Sequence, residues 1–176
     1  MLLGLAVGGF AYVRSAEPGW WVRLWYPLKY DSIVRGHARN YQLDPALLAA
    51  VIYQESKFHP DARSDRGAVG LMQLLPETAE GIAERTGGTQ FRVSDLYDPE
   101  INVRYGAWYL RHLLDKYGSE RLALAAYNAG QANVDRWRAG GLPIQFDETR
   151  NFVDHVEHLK TTYRHAYSSL RQHEDT

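Results

Sequence analysis

Two Asp-Pro pairs and a set of spaced glycines punctuate this chain into helices, and no part of it carries the pattern of a strand. Asp44-Pro45 and Asp98-Pro99 each put a carboxylate where it can accept from the first free N–H groups of a helix, with a proline ring preset at helical φ just inside. After the first pair, Leu47, Leu48, Val51 and Ile52 recur on one helix face. After the second, Val103, Ala107, Leu110, Leu114 and Tyr117 recur at helical steps, and Gly118 stands where a left-handed residue closes a helix. An earlier helix, beginning near Tyr30, is marked by Ile33, Val34, His37, Ala38 and Tyr41. Another starts near Pro76 and stops at Gly87-Gly88, and Ser119 caps one that reaches about Asn128. The last runs from about Arg150 with Phe152, Val156, Leu159 and Tyr163 as its stripe. The polar, turn-rich stretch 59–70, HPDARSDRGAVG, reads as a loop. No segment alternates with period two and no repeat of solenoid length occurs. The expectation is an all-α domain over residues 30–170, mainly helical with small irregular or β-like loops, and a frayed tail at 171–176.

Residues 1–29 read differently. Leu2 to Val13 are apolar apart from three glycines and Tyr12, and Arg14 follows. A spanning helix needs about 20 apolar residues, so the run is nearer a signal h-region, although no Lys or Arg precedes it. It reads as a short or clipped signal anchor. Trp20, Trp21, Leu24, Trp25 and Leu28 then share one helical face. Tryptophan favours the water–lipid boundary, but its large apolar area also suits core packing, and packing is the expectation for at least some of these rings.

The 176 residues fit one compact domain plus a short extra segment, and a 45% hydrophobic content is enough for a core. Lys and Arg number 20 against 21 Asp and Glu, a formal charge of -1. That balance argues against nucleic acid, whose phosphates call for clustered positive charge. The absence of cysteine excludes disulfides, thiolate zinc sites, cysteine nucleophiles and a lipid-modified N-terminal cysteine.

Chemistry is concentrated at Glu55. It follows Val51 by four residues and Ile52 by three, which turns its carboxyl toward the apolar side of its helix. Lost solvation raises a carboxyl pKa, and a raised pKa suits a general acid near neutral pH. The plainer alternative is a glutamate near a helix end that turns out to water.

The surrounding motifs decide between the two. Glu55-Ser56 is followed by Gly70-Leu71-Met72-Gln73, then by Ala126-Tyr127-Asn128-Ala129-Gly130, and Glu148-Thr149-Arg150 precedes the last helix. These four pieces, in this order, resemble the soluble lytic transglycosylases of glycoside hydrolase family 23, whose domain is related to goose-type lysozyme. The resemblance spans roughly residues 30–165 and is closest over ESKFHPDARSDRGAVGLMQLLP. It implies a lysozyme-like fold with Glu55 as catalytic acid and then base. Ser64 would help hold substrate near the reacting sugar. Gly70, Leu71, Met72 and Gln73 would line the cleft, Gln73 offering an amide to sugar hydroxyls or N-acetyl groups. Tyr127 and Asn128 would face Glu55, and Glu148 would contact glycan or peptide stem. Simpler roles stand beside these: Met72 as core filler, Gly70 in a tight turn, Tyr127 as packing, Ser64 as a turn cap, Glu148 as a charge favoured at a helix N-terminus. The family often has Tyr where this chain has Phe152, so a hydroxyl is missing there.

Glycosidases of the two-carboxylate kind pair an acid with a second Asp or Glu. The motifs place no such partner beside Glu55, with Glu148 the nearest and peripheral. The family therefore implies a one-carboxylate route that closes a muramic acid C6 hydroxyl on C1 and leaves a 1,6-anhydro end. A hydrolysing muramidase acting on the same bond and a non-catalytic glycan-binding subunit of an envelope complex are the alternatives. No cofactor is implied. His155 and His158 sit at i, i+3 but lack further ligands at supporting spacing, so no metal site is expected. The implied partner is the peptidoglycan glycan strand, met by a monomer in the extracytoplasmic envelope, with the apolar N-terminus as a route to membrane association.

Overall fold

A computed structural model describes residues 19–171. The apolar run Leu2 to Val13 and the C-terminal HEDT lie outside the described residues. The described residues form eight α-helices: α1 Gly19–Trp25, α2 Asp31–Asn40, α3 Pro45–Ser56, α4 Pro76–Thr86, α5 Pro99–Tyr117, α6 Glu120–Ala129, α7 Gln131–Ala139 and α8 Asp147–Ala166. Short 3-10 turns occupy Val93–Tyr97 and Ser168–Leu170. The extended pairing is limited to two antiparallel bridges, Arg63 with Val69 and Val69 with Leu74. The fold class is all-α, and the β-like element falls inside the stretch read as a loop and just beyond it.

The helix starts act as their residue types require. Asp44 Oδ1 accepts from the Ala46 N–H at 2.9 Å, and Asp98 Oδ1 accepts from Glu100 and Ile101 at 2.8 and 3.1 Å. Gly118 closes α5 at φ 61. Asp44 also meets Arg164 and Lys160 of α8, so one carboxylate caps α3 and ties it to its main neighbour.

The sequence marks one apolar face on α3, yet every residue from Ala46 to Ile52 is buried. Alanines complete the circumference of this helix, and a helix apolar all round sits inside the molecule. It packs most extensively on α8, with α2 beside it, while α6 bridges α5 and α8. A second, smaller cluster joins Val69, Leu74, Ala79, Ile82, Ala83, Leu96 and Tyr105, from the bridged loop, α4, the first 3-10 turn and α5. Helix α7 has no counterpart in the sequence reading. Only Val134 and Trp137 of it are buried, too sparse a stripe to register, and Gly130 turns the chain into it at φ 83 without a capping side chain.

Helix α1 meets the packing expectation only in part. Val22 is its buried residue, whereas Trp20, Leu24 and Trp25 are 56%, 68% and 61% exposed. Trp21 is half-buried and stands edge-on to both Trp20 and Trp25. Val22 is the residue this helix buries, and the helix as a whole packs on α8.

Candidate active site

A groove of about 510 Å³ runs between the two clusters. Glu55 rises into it from the last turn of α3. The bridged loop supplies Ser64, Asp65, Arg66, Ala68, Gln73, Leu74 and Leu75. Helices α4 and α5 supply Thr78 and Tyr109, α6 supplies Tyr127 to Ala129 with Gly130 behind it, and α8 supplies Glu148. Because α3 is the innermost helix, its end delivers the carboxyl to the groove floor. Burial pushes the Glu55 pKa up to about 8, opposed weakly by the Lys57 ammonium. At neutral pH the carboxyl is therefore protonated and faces an open groove, the state a general acid needs.

Tyr127 stands across from it. Burial and then the neighbouring Glu55 raise the Tyr127 pKa well above its ordinary value. Its hydroxyl donates to the Met72 carbonyl at 2.7 Å, which fixes the ring against the loop and leaves the oxygen lone pairs free. Asn128 is oriented from behind: the Thr149 hydroxyl donates to Asn128 Oδ1 at 2.7 Å, so the Asn128 NH₂ is left to the groove.

The bridged loop is held by Ser56, which the motif names without a role, and by Asn102, which the sequence reading did not single out. Ser56 Oγ lies 2.8 Å from the Leu71 carbonyl and 3.1 Å from that of Ile52, tying the end of α3 to the loop. Asn102 is fully buried in the first turn of α5. Its Oδ1 accepts from the Met72 N–H at 2.8 Å, and its Nδ2 donates to Val69 O and Leu96 O at 2.9 Å each. A Cβ on Gly70 would come 2.1 Å from Asn102 Nδ2, and φ there is +83, so glycine is required for the amide to reach the backbone. One on Gly106 would meet Met72 Sδ at 2.2 Å. An amide in the otherwise apolar inner face of α5 was the available signal for Asn102.

Of the four residues Gly70 to Gln73, only Gln73 reaches the groove. The Leu71 and Met72 side chains are fully buried in the core, Met72 contributing its carbonyl to Tyr127, and Gly70 serves the Asn102 clamp. Gln73 gives both its amide hydrogens inward, to Ala62 O at 3.1 Å and Gly70 O at 2.9 Å, so what it can offer outward is a carbonyl oxygen. Ser64 Oγ accepts from the Ala68 N–H at 3.0 Å, which caps the turn and keeps its hydroxyl hydrogen available to the groove. Glu148 is exposed at the groove's end, in the first turn of α8. Asp65 and Arg66 also line the groove; they sit in the polar loop, where nothing in the pattern distinguishes them from other turn residues. Phe152 is buried in the main core, and His155 and His158 are exposed.

The model of the Transglycosylase SLT domain matches residues 32–141, which holds Glu55, the bridged loop and the Tyr127-Asn128 pair. The chain belongs to the SLT-domain lytic transglycosylase family. A soluble lytic murein transglycosylase of Salmonella typhimurium is 33% identical over 152 residues, 80% of this chain and 24% of that one. A transglycosylase of the phage PRD1 is 38% identical over 112 residues, 64% of this chain and 38% of that one. Among solved structures, an inactive Glu→Gln mutant of lytic transglycosylase Slt from Pseudomonas aeruginosa superposes with a TM-score of 0.75 at 30% identity, covering 88% of this chain and 27% of that one. The Escherichia coli 70 kDa enzyme gives 0.76 at 28% identity, covering 87% and 27%. The SLT-domain chain thus has the lysozyme-like helical fold and spans about a quarter of the length of its bacterial soluble relatives. The family model stops before Glu148.

Proposed function

We propose that this SLT-domain protein cleaves the β-1,4 bond between N-acetylmuramic acid and N-acetylglucosamine in peptidoglycan and leaves a 1,6-anhydro end, outside the cytoplasmic membrane where that polymer lies. The observation that carries the reading is a carboxyl held protonated at neutral pH on the floor of an open groove. Protonated Glu55 donates to the glycosidic oxygen as the C1–O bond breaks, and the departing N-acetylglucosamine keeps that proton as its new hydroxyl. The substrate's own N-acetyl group stabilises the positive charge at C1. Glu55, now a carboxylate, takes the proton of the muramic acid C6 hydroxyl while that oxygen bonds to C1. The acid is restored and no water is consumed. The attacking oxygen is already part of the sugar, which gives the closure the rate advantage of an intramolecular reaction. The Tyr127 and Asn128 side chains stand ready to orient the sugar, Asn128 through the NH₂ that Thr149 leaves free. That a Glu→Gln mutant of the Pseudomonas aeruginosa relative is inactive supports a glutamate as an essential group.

A hydrolytic reading draws on the presence of two further carboxylates, Asp65 and Glu148, in the same groove, since a second carboxylate could activate water. Digestion of purified peptidoglycan by the wild type and by Glu55→Gln, followed by mass spectrometry, separates the readings. The proposal expects ends lighter by one water from the wild type and no products from the variant. Reducing ends alone would assign a hydrolase, and unimpaired lysis by Glu55→Gln would remove Glu55 from the mechanism.

A further inference from the structure

Helix α1 takes no part in the groove, and its outward face is the most apolar exposed surface of any described helix. Trp20, Leu24 and Trp25, at i, i+4 and i+5, are all more than half exposed. The helix is not frayed, because the segment that follows it is pinned to the core by three tyrosines. Tyr53 Oη donates to Trp25 O at 2.9 Å. Tyr167 Oη donates to Tyr26 O at 3.0 Å and accepts from the Leu28 N–H at 2.9 Å. Tyr163 Oη donates to Pro27 O at 3.3 Å. Hydrogen bonds and burial are thus spent on holding two tryptophans and a leucine in water, where their apolar area costs free energy.

We propose that α1 is a bilayer-seating element, with Trp20, Leu24 and Trp25 lodged in the headgroup region of a phospholipid membrane. Three observations favour lipid over a protein partner. Tryptophan is the side chain suited to the water–lipid boundary, with an apolar body and one N–H. The apolar run Leu2 to Val13 ends five residues before α1, so the segment arriving at this helix is itself suited to lipid. Exposed Arg23 and Arg171 stand beside this helix at the end of α8, and exposed Lys29 follows it in the chain, cations that match anionic headgroups. A second copy of the chain is a poor occupant: the three side chains expose on the order of 400 Å², short of the ~800 Å² per partner of a stable interface.

Seating α1 also orients the groove. Helix α1 packs on the C-terminal end of α8, where Arg23 stacks over Tyr167 at 5.9 Å. Glu148 occupies the other end of the same straight helix, on the order of 27 Å away at the rise of an α-helix. Tyr53, which holds Trp25, lies on α3 two residues before Glu55. The bilayer contact and the groove thus share two rigid helices, and the Glu148 end of the groove is held off the membrane at a set distance.

The test uses the full chain with vesicles of phosphatidylethanolamine and phosphatidylglycerol whose acyl chains are brominated near the headgroup. Tryptophan fluorescence of the wild type is expected to be quenched. In Trp20→Phe/Trp25→Phe, which keeps the apolar bulk, the quenched fraction should fall by more than half while co-sedimentation with the vesicles persists. In Trp20→Ser/Leu24→Ser/Trp25→Ser the vesicle partition coefficient should drop about a hundredfold. Absence of quenching in the wild type, equal quenching in the Phe pair, or undiminished partitioning of the Ser triple would each overturn the proposal. A vesicle-free dimer that the Ser triple dissociates would assign the face to a second copy instead. The readout is lipid contact, so it stands or fails independently of the cleavage chemistry.

Discussion

Replacing Glu55 by Gln removes a titration and leaves the shape nearly unchanged, so the stability of that variant reads the burial of the carboxyl directly. In the folded chain the Glu55 pKa lies at about 8 against an ordinary 4.5. A carboxyl whose folded pKa is raised binds its proton more tightly in the native state. Its contribution is therefore fully present below the unfolded pKa and is lost as pH climbs through the folded one. At about 1.4 kcal/mol per pH unit of difference, charging Glu55 costs the native state on the order of 5 kcal/mol between those two pKa values. Wild type and Glu55→Gln should then be nearly equal in stability at pH 5. By pH 9 the variant should be the more stable by on the order of 5 kcal/mol, a Tm difference of roughly 10–20 °C for a chain of this size. Melting curves of both proteins across that range, with every other titrating group common to the pair, isolate the term. A Tm difference that stays constant from pH 5 to pH 9 would refute the burial argument, and with it the claim that Glu55 is a proton donor at neutral pH.

Other predictions follow from the supports of the groove. Gly70→Ala should cost about 3 kcal/mol or more in a denaturant melt, because a Cβ there collides with Asn102 Nδ2 and the Leu96 carbonyl at a positive φ; a loss under about 1 kcal/mol would mean the loop can be held without that clamp. Thr149→Val keeps the volume but takes the hydroxyl from Asn128 Oδ1. On the proposed activity kcat/KM should fall about tenfold with a change in Tm of only a few degrees, and unchanged kinetics would show that Asn128 needs no such orientation.

Much of this was legible in the chain because the determinants are local. An Asp-Pro pair caps a helix whatever surrounds it, and Asp44 and Asp98 do so. Gly118 ends α5 because a residue without a side chain adopts a left-handed φ at little cost. Glu55 was singled out for a similar reason, by its spacing from Val51 and Ile52 and by the motifs after it, and the structure places it in the groove. The loop motif was legible in composition but not in role. Gly70, Leu71 and Met72 read as cleft residues, yet their side chains or their smallness serve the core and the Asn102 clamp, and only Gln73 faces outward. Helix α7 escaped notice because its burial depends on two residues meeting a surface that exists only after folding.

The sequence by itself determined the all-helical architecture and the helix starts, and singled out Glu55 as the acid of the proposed reaction, since hydrophobic period, capping chemistry and motif order act over a few residues at a time. Tertiary structure alone decided the rest. It made α3 the innermost helix, and so set the burial that raises the Glu55 pKa. It brought Asn102, thirty residues from Met72, to the loop, and Thr149 to Asn128. It also decided which tryptophans pack, turning Trp20 and Trp25 outward and leaving Trp21 half-buried. Each of these depends on which surfaces close on one another, and burial, the quantity that fixes a pKa or exposes a tryptophan, belongs to the assembled chain and not to any segment of it.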